Sequence, residues 1–208
     1  MQEVRVMAQP SWNGQKRSSM IYSHEHKIVI YTPFKNYSSS IRAYFANNRA
    51  KFFPISGMTP NYNHPRGMKF SGHSSIVPSD ISDTYTKYLP IRNPYDRVIS
   101  QYWWTYNRYK KVDFEKWLYE SSKQPVCMPV TLIYKDYDHL LRVEDLEEDM
   151  DKHNLLLVDP FTKENIPLPH KNKTENKFEM DISPEHEELI YFLHYEDFQA
   201  GGYKRLYK

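Results

Sequence analysis

Two segments of the chain place a cation and hydroxyl groups where an apolar run gives way to a helical pattern. Lys35–Ser40 follows the run Lys27–Thr32, and Arg92–Ser100 follows the run Thr86–Ile91. The first N–H groups of a helix have no partners within the helix, and the helix dipole favours anions at that end. The pair of segments therefore predicts a ligand with two separated phosphate-like groups.

The order of apolar patterns indicates an α/β protein. The 208 residues fit one domain with a buried core. Short β-branched runs alternate with segments of helical periodicity, which favours a mainly parallel sheet flanked by helices. We expect a single domain over residues 1–208, with a peripheral N-terminal segment at 1–26 and a core of about 27–203.

Local signals define the expected elements. Ser38 to about Asn48 carries apolar residues at helical spacing, and Asn93 is placed to cap a helix that begins at Pro94. We also expect helices over 112–123, 144–152 and 183–194, strands over 51–55 and 139–143, loops over 56–78 and 159–177, and a tail over 195–208.

Composition excludes several classes of function. A net charge of +2 argues against a broad basic face for nucleic acid. The single cysteine, Cys127, has no disulfide partner, and His24 and His26 have no third ligand at metal spacing, so no metal site is expected. No signal peptide or membrane-spanning run is visible, which predicts a cytoplasmic protein with no membrane partner.

The first segment, Lys35-Asn36-Tyr37-Ser38-Ser39-Ser40, lacks the two glycines of a Walker A loop, so ATP hydrolysis is disfavoured. It resembles the first loop of the sulfotransferase superfamily, Lys-x-Gly-Ser/Thr-Thr-Ser-Leu, with Tyr37 where the glycine usually stands. The second segment matches the family's Arg-x-Pro-x-x-Arg-x-x-Ser signature at Arg92, Pro94, Arg97 and Ser100. The closest resemblance is to the carbohydrate 2-O-type branch.

The resemblance implies a P-loop NTPase-like sulfotransferase fold and 3′-phosphoadenosine 5′-phosphosulfate (PAPS) as donor, with 3′-phosphoadenosine 5′-phosphate (PAP) as product. It implies that the 5′-phosphosulfate is held by Lys35, Asn36, Tyr37, Ser38, Ser39 and Ser40, and the 3′-phosphate by Arg92 and Ser100. Lys173 and Thr174 resemble the family's late cofactor-binding loop, and Tyr203 lies in a segment similar to its terminal one.

Catalytic roles follow from the same resemblance. Gly72-His73 is similar to a Gly-His pair in which the histidine is the base, so His73 is expected to take the proton of a hydroxyl acceptor, with a glycan as the leading class. Lys35 is expected to neutralise charge on the leaving phosphate oxygen, and this scheme requires no metal.

Other interpretations remain open. Lys35 is also consistent with a solvated loop lysine, and Ser38–Ser40 with simple helix capping. Arg97 is better explained as a structural or salt-bridge residue, and Trp103 and Trp104 as packing residues than as a sugar platform. The alternatives to a sulfotransferase are a degenerate nucleotide- or glycan-binding protein without catalysis and a nucleotide-dependent kinase.

Overall fold

The computed structural model describes residues 20–23, 26–47, 68–71, 83–109, 113–121, 128–159, 161–169 and 180–207. They form a mixed α/β arrangement in which helices pack on a five-stranded sheet. The strands are β1 (Met20–Ser23), β2 (Ile28–Tyr31), β3 (Met68–Ser71), β4 (Thr86–Ile91) and β5 (His139–Arg142). The helices are α1 (Ser38–Asn47), α2 (Pro94–Tyr109), α3 (Phe114–Ser121), α4 (Val130–Ile133), α5 (Leu146–Lys152), α6 (Pro184–Leu193) and α7 (Tyr195–Gly201).

The sheet is half parallel and half antiparallel. Its strand order is β3-β1-β2-β4-β5, with β4 parallel to both β2 and β5, and β1 antiparallel to both β2 and β3. Only residues 24–27 join β1 to β2, a connection too short for the crossover that parallel neighbours need. The mainly parallel sheet expected from the sequence is therefore correct for the β2, β4 and β5 part and wrong for the β1 and β3 part.

Side chains alternate between the two faces of the sheet, as the two-residue period of a strand requires. Ile28 and Ile30 of β2 pack into an apolar cluster with α1 and α5, whereas Val29 and Tyr31 pack into a second cluster with α4. A third cluster joins α2 with α3, α6 and α7 around Tyr102 and Phe198. The sheet thus has helices on both faces, and α2 is fixed by a separate group of helices.

Three predictions made from the sequence are wrong. Met20–Ser23 is a buried strand inside the sheet rather than part of a peripheral segment, and Met68–Ser71 is a strand within the stretch expected to be a loop. Tyr195–Gly201 is a helix rather than a tail. The helices and strands expected around α1, β4, α2, α3, β5, α5 and α6 are confirmed. The strand expected at 51–55 lies outside the described residues.

Candidate functional site

The two phosphate-type segments lie side by side at one edge of the sheet. β2 and β4 are adjacent and parallel, with Ile28 opposite Thr86 and Ile30 opposite Tyr88. Because parallel strands end at the same edge, the loop after β2 and the loop after β4 leave the sheet next to each other. This edge, outside the carboxyl ends of parallel strands, is where open α/β sheets bind ligands.

The first loop has two residues in the left-handed backbone region. Lys35 has φ +66° and Tyr37 has φ +60°. A left-handed backbone is a conformation that glycine adopts without steric cost and that other residues adopt at a cost of about 1–2 kcal/mol. Tyr37 therefore holds a backbone conformation that glycine would adopt without this cost.

The loop leads directly into the N-terminus of α1. The N–H groups of Ser40 and Ile41 both donate to the carbonyl of Tyr37, at 3.0 and 3.1 Å, so the N–H groups of Ser38 and Ser39 precede these first bonds of the helix. No acidic residue stands in the first turn of α1. The first N–H groups of α1 and the positive end of its dipole make this position suitable for an anion, whereas the hydroxyl of the buried Ser40 is hydrogen-bonded with Tyr37.

Asn36 braces the loop from inside. It is completely buried, and its Nδ2 donates to the carbonyl of Pro90 in β4 at 3.1 Å. Its Oδ1 is also buried and has no hydrogen-bond partner among the described residues. The side chain of Asn36 therefore fixes the loop to the sheet, and the expected role of this residue in binding the cofactor stays a prediction.

The side chain of Tyr37 turns towards α5 rather than over the loop. It packs against the apolar cluster of α1 and α5, and burial raises the pKa of its hydroxyl. A cavity of about 260 Å³ lies beside it, lined also by Val143, Leu146, Leu168 and the acidic residues that begin α5. Tyr37 thus occupies space on the α5 side of the loop.

Lys35 lies against two aromatic rings. Its Nζ is 5.4 Å from the ring centroid of Phe34 and 5.8 Å from that of Trp104, and the two rings meet edge to face at 5.1 Å. Trp104 belongs to α2 and follows Ser100 by one helical turn, so both lie on the same side of that helix. The structure therefore brings Lys35 of the first segment next to the face of α2 that carries Ser100 of the second.

The N-terminus of α2 is already satisfied by groups of the protein itself. Asn93 Oδ1 accepts the N–H of Tyr95 at 3.0 Å, which confirms the predicted cap, and Glu144 Oε1 accepts the N–H of Asn93 at 2.8 Å. Asp96 stands in the first turn, with its carboxylate 3.8 Å from the guanidinium of Arg92. The two helix N-termini are therefore not equivalent, because at α2 the N–H groups of Asn93 and Tyr95 have partners within the protein and Asp96 adds a negative charge.

Arg97 has the structural role predicted for it. It is 1% exposed, donates to the carbonyl of Met128 at 3.0 Å, and pairs at 3.3 Å with the fully buried Asp197 of α7. Asp197 also accepts the N–H groups of Val130 and Thr131 at 2.9 and 3.0 Å. This ion pair joins α2, α4 and α7 and places the second segment on a rigid support.

His194 is buried beside this ion pair. It is 0% exposed, and neither ring nitrogen has a hydrogen-bond partner among the described residues. Desolvation, followed by the charge of Arg97, lowers its pKa to about 3. The imidazole is therefore neutral at physiological pH.

Tyr203 lies at the carboxyl end of β4, where its partners are protein groups. Its hydroxyl donates to Glu144 Oε2 at 2.8 Å and lies 3.4 Å from the carbonyl of Ile91, the last residue of β4. Burial, with the neighbouring carboxylate of Glu144, raises the pKa of Tyr203 far above its usual range. Glu144 thus connects Tyr203 to the start of α2.

Glu144 was missed by the sequence analysis, which placed it only at the start of the helix expected over 144–152. Its position could have indicated this contact, because Glu144 closely follows β5, and the parallel strands β4 and β5 end at the same edge of the sheet. The other assigned residues, His73, Lys173 and Thr174, lie outside the described residues.

Searches of family models, curated proteins and solved structures found no match to this chain. Across the described residues, no group of three or more His, Cys, Asp or Glu side chains is arranged to hold a metal ion. No helix in the same part of the chain is long and apolar enough to cross a membrane.

Proposed function

We propose that this chain is a sulfotransferase of P-loop-like fold that transfers a sulfuryl group from PAPS to a hydroxyl group, with a carbohydrate as the leading acceptor class. The observation that carries the proposal is the position of Lys35 and the α1 N-terminus beside the α2 face that bears Ser100. A ligand with two anionic groups has partners in both segments at a single edge of the sheet.

The residues at this edge fit an anionic nucleotide. The N–H groups and hydroxyls of Ser38 and Ser39 can bind one anionic group without competition from a carboxylate in the first turn of α1. The side chain of Arg92 is 17% exposed, so a hydrogen bond from it to a second phosphate is partly shielded from solvent. The buried brace of Asn36 keeps the loop in place before a ligand arrives.

PAPS, when bound, supplies the sulfuryl group, which leaves a phosphate oxygen for the acceptor oxygen. The ammonium of Lys35 and the α1 N–H groups stabilise negative charge that develops on that phosphate oxygen. His73 accepts the proton of the acceptor hydroxyl, in the role that the Gly-His resemblance assigns to it. In this mechanism, the charge on the leaving phosphate oxygen is stabilised by the Lys35 ammonium and the dipole of α1.

A binding protein without catalysis is the second candidate. Two features favour it: Tyr37 replaces the loop glycine, and Glu144 already satisfies the N-terminus of α2. Such a protein would bind PAP without transferring sulfate. Turnover of labelled PAPS separates the two candidates.

The test of the proposed function is a calorimetric titration with PAP, adenosine 5′-phosphate and ATP. We expect PAP to bind more tightly than adenosine 5′-phosphate, because Arg92 and Ser100 contact only the 3′-phosphate. Lys35→Ala should lower the rate of sulfate transfer far more than it disturbs folding, and Lys116→Ala, at an exposed position of α3, serves as the matched control. Equal affinity for adenosine 5′-phosphate and PAP would contradict the assignment of the second segment.

A further inference from the structure

We propose that Trp104 is a positioning residue that holds the ammonium of Lys35 at the ligand edge. The proposal rests on the proposed function for the role of Lys35, and on the structure for the role of Trp104. The contact links a residue of the loop after β2 to a residue one turn beyond the Arg92–Ser100 segment.

The geometry is that of a cation held by aromatic rings. Lys35 Nζ lies within 6 Å of the ring centroids of both Phe34 and Trp104, the range in which a ring attracts a cation. The edge-to-face contact of the two rings, with an interplanar angle of 80°, fixes their relative orientation. Lys35 therefore has a defined platform formed by a neighbour in sequence and a residue from another helix.

The lysine needs such a platform more than most side chains do. Its four-carbon stem has many rotamers, and a catalytic cation is effective only when it is positioned before the reaction. The left-handed backbone at Lys35, with φ +66°, sets the direction in which the stem leaves the loop. Trp104 is half-buried, which strengthens its attraction for the ammonium relative to a fully exposed ring.

The same contact aligns the two anion-binding segments. Ser100 and Trp104 are on one side of α2, so a shift of the helix moves the partner of Lys35 together with Ser100. Trp104 thereby keeps a constant spacing between the cation assigned to the 5′ side and the hydroxyl assigned to the 3′-phosphate. The adjacent Trp103 instead packs against Tyr102 and Tyr106.

The test compares Trp104→Leu and Trp104→Phe with the matched control Trp103→Leu. The first readout is the NMR signal of the Lys35 ε-methylene group, identified by its loss in Lys35→Arg. Ring currents should shift this signal upfield in the wild type, and the shift should be lost in Trp104→Leu and retained in part in Trp104→Phe. The Trp103→Leu control should retain it.

The second readout is catalysis. Trp104→Leu should lower kcat by about fivefold to thirtyfold, which corresponds to roughly 1–2 kcal/mol for a partly desolvated cation–ring contact, with the acceptor KM little changed. Trp104→Phe should restore most of the rate. Trp103→Leu should lower the melting temperature without lowering kcat at a temperature where it is folded.

The readouts separate failure of this proposal from failure of the proposed function. An unshifted Lys35 signal in the wild type, or the same shift in Trp104→Leu, overturns the positioning role. A lost shift with unchanged kcat also overturns it, because the position of the ammonium would then not matter. Absence of PAP binding by the wild type overturns the proposed function instead, and the NMR comparison still decides whether Trp104 fixes the ammonium.

Discussion

Acidification should destabilise the fold through the buried His194. A histidine has a pKa of 6.5 when exposed, and burial lowers the pKa of His194 to about 3 in the folded protein. Between these values the unfolded chain binds a proton that the folded protein excludes. The free energy of unfolding is therefore unaffected by His194 above pH 6.5, and it decreases as the pH falls below 6.5.

The magnitude follows from the difference between the two pKa values. Each pH unit below 6.5 lowers the free energy of unfolding by about 1.4 kcal/mol until the folded pKa is reached. At pH 5 the loss from His194 alone is therefore about 2 kcal/mol, a large fraction of the stability of an ordinary domain. The charged group that faces the imidazole is Arg97, which disfavours its protonation further.

The variant His194→Leu should remove this loss. Neither ring nitrogen has a partner among the described residues, so leucine forfeits no hydrogen bond there, and its effect at pH 7.5 should be within about 1.5 kcal/mol. Urea unfolding followed by tryptophan fluorescence at pH 7.5, 6 and 5 measures the free energies. His26→Gln, at an exposed histidine, is the matched control.

We expect the wild type and His26→Gln to lose stability in parallel between pH 7.5 and 5, and His194→Leu to lose about 2 kcal/mol less. If all three proteins lost the same amount, the buried imidazole would not be the source of the acid sensitivity. If His26→Gln alone reduced the loss, the assignment to a buried group would be wrong.

Four further predictions concern the ligand edge and its support. Arg92→Ala should weaken PAP binding by about 1.5–3 kcal/mol in calorimetry and leave adenosine 5′-phosphate binding unchanged, and a loss shared by both ligands would refute its assignment to the 3′-phosphate. His73→Ala should lower the transfer rate by about 10²–10⁴-fold at unchanged PAP affinity, and an unchanged rate would require another base. Tyr37→Gly should be more stable than Tyr37→Ala by about 1 kcal/mol in urea unfolding, since the ring is lost in both but only glycine suits φ +60°, and the opposite order would exclude strain at this position. Asp197→Asn should cost about 3–5 kcal/mol because Arg97 would be left buried without its counter-charge, whereas Asp145→Asn in a half-exposed pair should cost less than about 1 kcal/mol, and equal losses would contradict the role of burial.

The elements that could be predicted from the sequence are those with local signals. α2 begins where Asn93 caps it and Pro94 opens it, and its apolar stripe contacts the third cluster as its spacing indicated. Strand β1, in contrast, has only four residues and is defined by pairing with β2 and β3, which are not visible in a local pattern. Helix α7 was missed because Gly201 and Gly202 suggested a tail, whereas Gly202, with φ +65°, is its left-handed C-cap.

The same distinction applies to the site. The sequence analysis favours a structural or salt-bridge role for Arg97, and its buried ion pair with Asp197 confirms this role. The inward orientation of Asn36 and the contact of Glu144 with Asn93 depend on which strands are neighbours. Sheet order is set by long-range packing, so these two contacts could not be read from the chain.

The hydrogen bond from Asn36 to Pro90 attaches the loop after β2 directly to strand β4. The last paired residues of β2 and β4 are Ile30 and Tyr88. Pro90, two residues further along β4, has a carbonyl but no N–H for hydrogen bonding. The amide of Asn36 occupies the place that the next residue of a longer strand would take. A displacement of β4 is therefore transmitted to the loop through this hydrogen bond. We expect the amide hydrogens of β4 and of the loop to exchange together, as one cooperative unit, rather than those of the loop to exchange first.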